Sequence, residues 1–363
     1  MERWRLIDLG RPEPLVAQTF YEAVAEAVHR GTSPNTLIML QPGSPYVCLG
    51  YHQDLETEID VDLCKEKGLP VIRRSQGGGA TYLDGDQVFY QIVAKDSPVV
   101  PINVEEMFKG LLAVTVETYR RLGVEAEFKP LNDVVVGGRK ISGNGAGMHE
   151  SASILVGNVI LDLDYDMMAG VLRVPDEKFR DKMAKSMRDW VTSLRRELGH
   201  SPSAENVKQT YVAAFKELLG VELVRQEPNE TEWRTFHEEV KPRHTSSRWL
   251  YMEAPPASLR EGRAVKIAGD VKFVEADHKA RKLIRVRAEM KGKAILSIQI
   301  RGDFFAIPKE AISEFEKMLR GVELEEHSVL DVVRRFYRDT EVQTPGIEPK
   351  DFTAAIMKIR DLI

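Results

Sequence analysis

The chain has 363 residues, 43% of them hydrophobic and 29% charged, with a formal net charge of −5 at pH 7. That length is ample for a full-sized core and suggests two domains, and the composition is that of a globular chain, not a disordered one. The negative balance argues against a broad nucleic-acid surface. No apolar run approaches the ~18 residues of a membrane span, and Met1-Glu2-Arg3-Trp4-Arg5 lacks the apolar core of a secretory signal. The two cysteines, Cys48 and Cys64, match no metal-ligand spacing and read as reduced thiols of a cytoplasmic protein.

In chain order, Leu15 to Arg30 predicts an amphipathic helix: Val16, Phe20, Val24 and Val28 recur every four residues, and Gly31 follows as a stop. Two short strands, Thr36–Leu40 and Tyr46–Leu49, flank a Pro-Gly turn. Asp60 to Lys67 predicts a helix, Leu69 to Arg73 a strand, and Gln87 to Ala94 another. Val104 to Leu122 predicts the second amphipathic helix, followed by a strand over Val124–Phe128. A hairpin is expected to turn at Gly137-Gly138, and a strand to run from Ile154 to Leu163. Helices are expected over Glu177–Leu198 and Ser203–Leu219, the latter with a Ser cap and a Gly stop. Glu227 to Ser247 is polar and reads as a connector. Strands over Val271–Val274, Leu283–Met290 and Ala294–Ile300 follow, with Lys291-Gly292 as a hairpin turn. Helices are then expected over Lys309–Leu319, Ser328–Phe336 and Lys350–Ile359. A small sheet followed by helices predicts an α+β appendage.

Between Arg73 and Thr81 lie Arg73-Arg74-Ser75-Gln76-Gly77-Gly78-Gly79-Ala80-Thr81. Contiguous glycines weaken a strand but let the backbone approach another molecule closely, and arginines beside them can grip phosphate or carboxylate. A flexible hairpin turn with incidental arginines explains the stretch equally well in isolation. It matches neither the Lys-Ser/Thr phosphate loop nor the spaced dinucleotide fingerprint. A second glycine-rich segment, Gly137-Gly138-Arg139-Lys140-Ile141-Ser142-Gly143, places Lys140 just after a turn. A fixed cation there suits the negative charge that builds when ATP activates a carboxylate; a solvated turn lysine is the plain alternative. Asn132-Asp133 opens the same hairpin. Asp133 is suited to holding Mg2+ or to ordering Lys140, Asn132 to a nucleobase or ribose, and a turn-forming pair is the competing reading.

These motifs together resemble the signature of lipoate–protein ligases, which share a fold with biotin ligases and octanoyltransferases. Leu49-Gly50-Tyr51-His52-Gln53 and Asp162 support the likeness, which spans roughly residues 4 to 220. Gly269-Asp270-Val271-Lys272 through Ile300-Arg301-Gly302-Asp303-Phe304-Phe305 resembles the accessory C-terminal domain of such ligases. The resemblance implies an α+β, class II synthetase-like catalytic domain with a mixed sheet and flanking helices over residues 1–243. A linker over 244–256 and a small α+β accessory domain over 257–363 complete it. It implies activation of lipoate by MgATP to lipoyl-AMP, then transfer to a lysine ε-amine on an apo-carrier, such as a dehydrogenase lipoyl domain or a glycine-cleavage H-like protein. By position, Arg74, Gly79, Ala80, Thr81 and Tyr82 match nucleotide and adenylate contacts, and Ser75, Gly77 and Gly78 shape the loop. Lys140 matches the lysine that touches acyl carbonyl and phosphate, while Asn132 and Asp133 fall on the nucleotide side, Asp133 as the metal candidate.

The sequence departs from that pattern twice. Leu83 stands where the family commonly has His, and Val156-Gly157-Asn158 stands where it has His-Gly-Thr. Both departures remove polar groups near the acyl pocket, which bears on acyl specificity. The alternative is an octanoyl or lipoyl transferase working through a cysteine thioester, for which Cys48 and Cys64 are the available residues. From Ala257 to Arg301 there are twelve Lys/Arg against five Asp/Glu, an excess that would steer an acidic carrier or merely solvate a strand face.

Overall fold

The computed structural model describes residues 1–173, 180–252, 264–268 and 271–363. The start of the helix expected from Glu177, part of the 244–256 linker, and the Gly269-Asp270 pair lie outside those residues. The chain divides by contact into two compact units. The first holds residues 1–49, 58–74 and 80–250; the second holds 50–57, 75–79 and 251–363.

The first unit is built on an eight-stranded mixed sheet. Its strands are β1 (Arg3–Asp8), β2 (Thr36–Leu40), β6 (Gln87–Ala94), β7 (Glu127–Lys129), β8 (Asp133–Val136), β9 (Arg139–His149), β10 (Ala152–Ile160) and β11 (Glu222–Arg225), in the order β11-β1-β2-β6-β10-β9-β8-β7. β1 pairs parallel with β2 and β11, and the remaining pairs are antiparallel. β6 is buried at all eight positions, so both of its faces must be covered. Alternation along it shows by what. Phe89 and Val93 join a cluster with Phe20 and Val24 of the helix Pro14–His29. Tyr90, pointing the other way, stacks on Tyr211 of the helix Ala204–Leu219 at 4.5 Å and accepts from Thr115 of the helix Val104–Arg121 at 2.8 Å. A small three-stranded sheet accompanies the large one, with β3 (Tyr46–Leu49) between β4 (Val71–Arg73) and β5 (Thr81–Leu83). β4 delivers the first glycine-rich loop and β5 receives it.

The second unit contains an antiparallel sheet of β12 (Ala264–Ala268), β13 (Val271–Lys279), β14 (Leu283–Lys291) and β15 (Ala294–Gly302). Val274, Val286 and Ile300 of that sheet form one core with Phe315, Phe336 and Phe352 from the helices Ala311–Met318, Glu326–Thr340 and Pro349–Met357. Gly292 turns the β14–β15 hairpin at φ +56°. The expected α+β architecture is therefore present, and β12 is a strand the pattern did not reveal.

Two expectations need correction. The single helix over Glu177–Leu198 is two helices, Arg180–Trp190 and Leu194–Leu198. Val191 makes the last helical bond, to Met187, and bridges Lys140; the Thr192 N–H then donates to the Lys140 carbonyl at 2.8 Å, and Ser193 caps the second helix. The segment read as a polar connector is ordered: helices at Glu230–Thr235 and Lys241–Thr245 flank a π turn. Phe236 and Val240 pack into the cluster beneath Pro14–His29, and Glu232 is buried against Arg5. Too few apolar residues stand in it for a periodic signal, but Phe236 and Val240 are buried and Trp233 is partly so.

Candidate active site

Lys140 is the second residue of β9, directly after the Gly137-Gly138 turn, where both glycines have positive φ (+53° and +79°). Only glycine takes two such angles in succession without steric cost. Its Nζ lies 2.6 Å from Asp133 Oδ1, across the hairpin. Both side chains are about one-third exposed (38% and 32%), while Asp133 Oδ1, the oxygen that meets Lys140, is buried. Of the two roles open to Asp133, ordering Lys140 is the one visible.

Beneath this pair is a clasp that sequence reasoning missed. Asn132 Nδ2 donates to the Asn144 carbonyl at 2.6 Å, and Asn144 Nδ2 donates to the Asn132 carbonyl at 3.0 Å. Tyr90 OH donates to Asn144 Oδ1. A reciprocal pair of this kind pins β8 to β9 and fixes where Lys140 emerges. The Asn132 amide donor is engaged in it, and the residue is only 7% exposed. Asn158, on β10, accepts from the Gly143 N–H at 2.8 Å and donates to Gln87 Oε1 at 2.7 Å. The only sequence signal for Asn144 is its place between Gly143 and Gly145, at the end of the glycine-rich segment.

On the small sheet, Arg73 and Arg74 have different fates. Arg73 is fully buried and donates through Nε and Nη2 to the Leu250 carbonyl at 3.0 and 2.7 Å. Arg74 is half-buried; its Nη1 lies 3.4 Å from Cys48 Sγ and its N–H donates to the Leu49 carbonyl. Cys48 pairs across β3 with Ile72 and Thr81, and burial pushes its thiol up, with the Arg74 charge opposing more weakly. Tyr82 is buried, its phenol pushed up to about 12 by burial and then by Asp84, Asp164 and Asp86. Leu83 belongs to the apolar cluster, so this position serves packing here. Asp84 is pushed up to about 6, mainly by burial.

The loop Ser75–Gly79 is counted with the second unit. Gly78, at φ +92°, donates its N–H to the Phe304 carbonyl at 3.2 Å, and a Cβ on Gly77 would overlap that same carbonyl. His52 stacks on Phe304 at 4.9 Å and its carbonyl accepts from the Gly302 N–H at 2.9 Å. Asp54 forms an ion pair with Arg287 at 2.7 Å, and Arg287 also pairs with Glu275. The close approach the glycines allow is thus, in part, an approach to the Gly302-Asp303-Phe304-Phe305 motif. Among the described residues no group of three His, Cys, Asp or Glu side chains is arranged as a metal site.

The profile of the lipoyl protein ligase A/B catalytic domain matches residues 13–216. This chain belongs to that family. A second profile, the bacterial lipoate protein ligase C-terminus, matches residues 283–356. The chain is similar to lipoate-protein ligase LplJ of Bacillus subtilis, 27% identical across 82% of this chain and 84% of that one. It is also similar to octanoyltransferase LipM of Kyrpidia tusciae, 28% identical across 69% of this chain and 99% of that one. Among solved structures it resembles the bipartite lipoate protein ligase of Thermoplasma acidophilum, studied with its E2 lipoyl domain. The TM-score is 0.62 at 27% identity, over 71% of this chain and 100% of that one. The lipoate ligase/octanoyltransferase family therefore supplies both the fold and the enzyme class, and these relatives divide between ligases and octanoyltransferases.

Proposed function

We propose that this chain is an ATP-dependent lipoate–protein ligase. In the first step the lipoate carboxylate attacks the α-phosphorus of ATP, the bond to the β-phosphate oxygen breaks, and pyrophosphate leaves with that electron pair. Lys140 stabilises the charge gathering on the α-phosphate, and Arg74 with the Ser75–Gly79 backbone and Ala80, Thr81 and Tyr82 holds the nucleotide. In the second step the ε-amine of a carrier lysine attacks the acyl carbonyl, AMP leaves, and the amine loses a proton as the amide forms. Asp133 is the residue that would hold Mg2+, a cation commonly bound by one or two carboxylates plus substrate phosphates; it would supply charge neutralisation there. The acceptor is an apo lipoyl-carrier protein, in a cytoplasmic setting. Among the described residues no helix is long and apolar enough to cross a membrane.

The observation that carries the ligase reading is the state of the thiols. The chain has two cysteines and each is 1% exposed. Burial pushes Cys64 up to about 11, and Cys48 is raised too, whereas a thioester-forming enzyme needs an accessible thiolate. The C-terminal match over 283–356 adds support, since the octanoyltransferase relative aligns with only 69% of this chain. One observation favours the second reading, transfer through Cys48: its sulfur lies beside Arg74.

The two readings separate in one assay. With lipoate, MgATP and apo-carrier, wild type and Cys48→Ser should both release pyrophosphate and add a lipoyl mass to the carrier. Lys140→Ala should lower pyrophosphate release by ~100-fold or more, the scale of losing one such donor. Transfer from an octanoyl carrier without ATP, abolished by Cys48→Ser, would replace the ligase with the transferase.

A further inference from the structure

The segment 221–251 lies outside both matched profiles, which span 13–216 and 283–356. Its end closes on β4, the strand that feeds the glycine loop. The Arg73 carbonyl accepts from Trp249 Nε1 at 2.9 Å and faces His244 Nδ1 at 3.0 Å, while the buried Arg73 guanidinium donates to the Leu250 carbonyl. The peptide between Arg73 and Arg74 is held at its other side as well, because the Arg74 N–H donates to Leu49 on β3. One peptide plane is therefore fixed at both its carbonyl and its N–H, immediately before the loop begins.

His244 is itself anchored. Its side chain is fully buried, and its Nε2 lies 3.0 Å from Glu22 Oε1 on the helix Pro14–His29. The other oxygen of Glu22 pairs with Arg243, whose guanidinium lies 5.3 Å from the Trp249 ring centroid. The two ring nitrogens thus meet the Arg73 carbonyl and the Glu22 carboxyl group, so the ring is held at both of its polar edges. A fully buried side chain tied at both ring nitrogens, with its carboxyl partner shared by an arginine, is costly to build for packing alone.

We infer that His244, Trp249 and Leu250 form a brace that positions the nucleotide-holding loop: they set the Arg73–Arg74 peptide plane, and through it the direction of Arg74 and the start of Ser75–Gly79. These are positioning residues, and the inference rests on the ligase reading for what the loop holds. It also accounts for Arg73, whose charge the sequence offered as a ligand grip.

The test uses the full chain and three substitutions. Trp249→Phe keeps the ring shape and removes one donor. His244→Gln can still reach Glu22 but withdraws from Arg73, whereas the Nδ2 of His244→Asn replaces Nδ1. Trp249→Phe and His244→Gln should each raise KM for ATP about 5-fold, the scale of one lost hydrogen bond, with kcat within about twofold. The amides of 74–79 should exchange about 10-fold faster in the same two variants. His244→Asn should return both readouts to within about twofold of wild type. Unchanged exchange at 74–79 in Trp249→Phe and His244→Gln would overturn the brace, as would His244→Asn behaving like His244→Gln. If wild type releases no pyrophosphate the ligase reading falls, and the exchange rates alone still decide the brace.

Discussion

Asp84 sits at the end of the signature loop, 8% exposed, accepting from the Asp86 N–H and crowded by Asp86 and Asp164. Its folded-state value of about 6 lies above the ordinary 3.8, because burial penalises the charged form. The folded protein therefore holds this proton more tightly than the unfolded chain does. Well below pH ~4 both states are protonated and the group is neutral toward stability; between ~4 and ~6 the unfolded chain ionises while the fold still holds its proton, so stability falls, and above ~6 the loss is complete. Asp84→Asn should remove that cost, raising stability by about 1–2 kcal/mol at pH 7.5 and by almost nothing at pH 4. Denaturant melts at the two pH values measure this, and an equal gain at both would rule out the charge as its cause.

The β8–β9–β10 arch is the element that carries Lys140, and Gly157 is its tightest point. A Cβ there would overlap Asn144 Oδ1 and the Tyr90 hydroxyl, the two atoms at the heart of the clasp. Gly157→Ala should cost about 1–3 kcal/mol, the range for overpacking a filled core. It should slow pyrophosphate release by more than that loss of folded protein explains; a urea melt paired with initial rates checks it. This arch also shows what the sequence could and could not reveal. The hairpin turn at Gly137-Gly138 was legible because two positive φ angles demand those residues, and β6 because only Gln91 interrupts the β-prone apolar run Val88–Ala94. The Asn132–Asn144 clasp was not, since polar residues twelve apart carry no periodic signal. Nor was the break at Val191–Ser193: a helical pattern continues through it, and what stops it is a bridge to Lys140, 51 positions earlier. Arg73 and Arg74 look alike in sequence and differ in space because a strand alternates its side chains.

At the scale of the whole molecule, one apolar cluster of the described residues gathers around Pro14–His29 and another beneath β13–β15. Part of the basic excess over the C-terminal sheet is answered by neighbours: Arg285 pairs with Asp277, Arg287 with Glu275 and Asp54, and Arg301 with Glu316. A chain ending at residue 252 lacks Phe304 and Arg287, the partners of the glycine loop and of Asp54. Such a chain should keep slow amide exchange in β6 and β10 but lose protection over 50–57 and 75–79, as hydrogen exchange read by mass spectrometry would show. Unaltered loop protection would mean that Phe304 contributes nothing to it. The packing of Gly77 on Phe304 has a consequence for anyone recombining this enzyme with its relatives. The covalent seam and the physical seam do not coincide, since two short insertions from the first eighty residues belong to the later body. A chimera joined near residue 252 would exchange only one side of that packing. A working graft has to carry residues 50–57 and 75–79 across with the C-terminal part, three pieces moved as one.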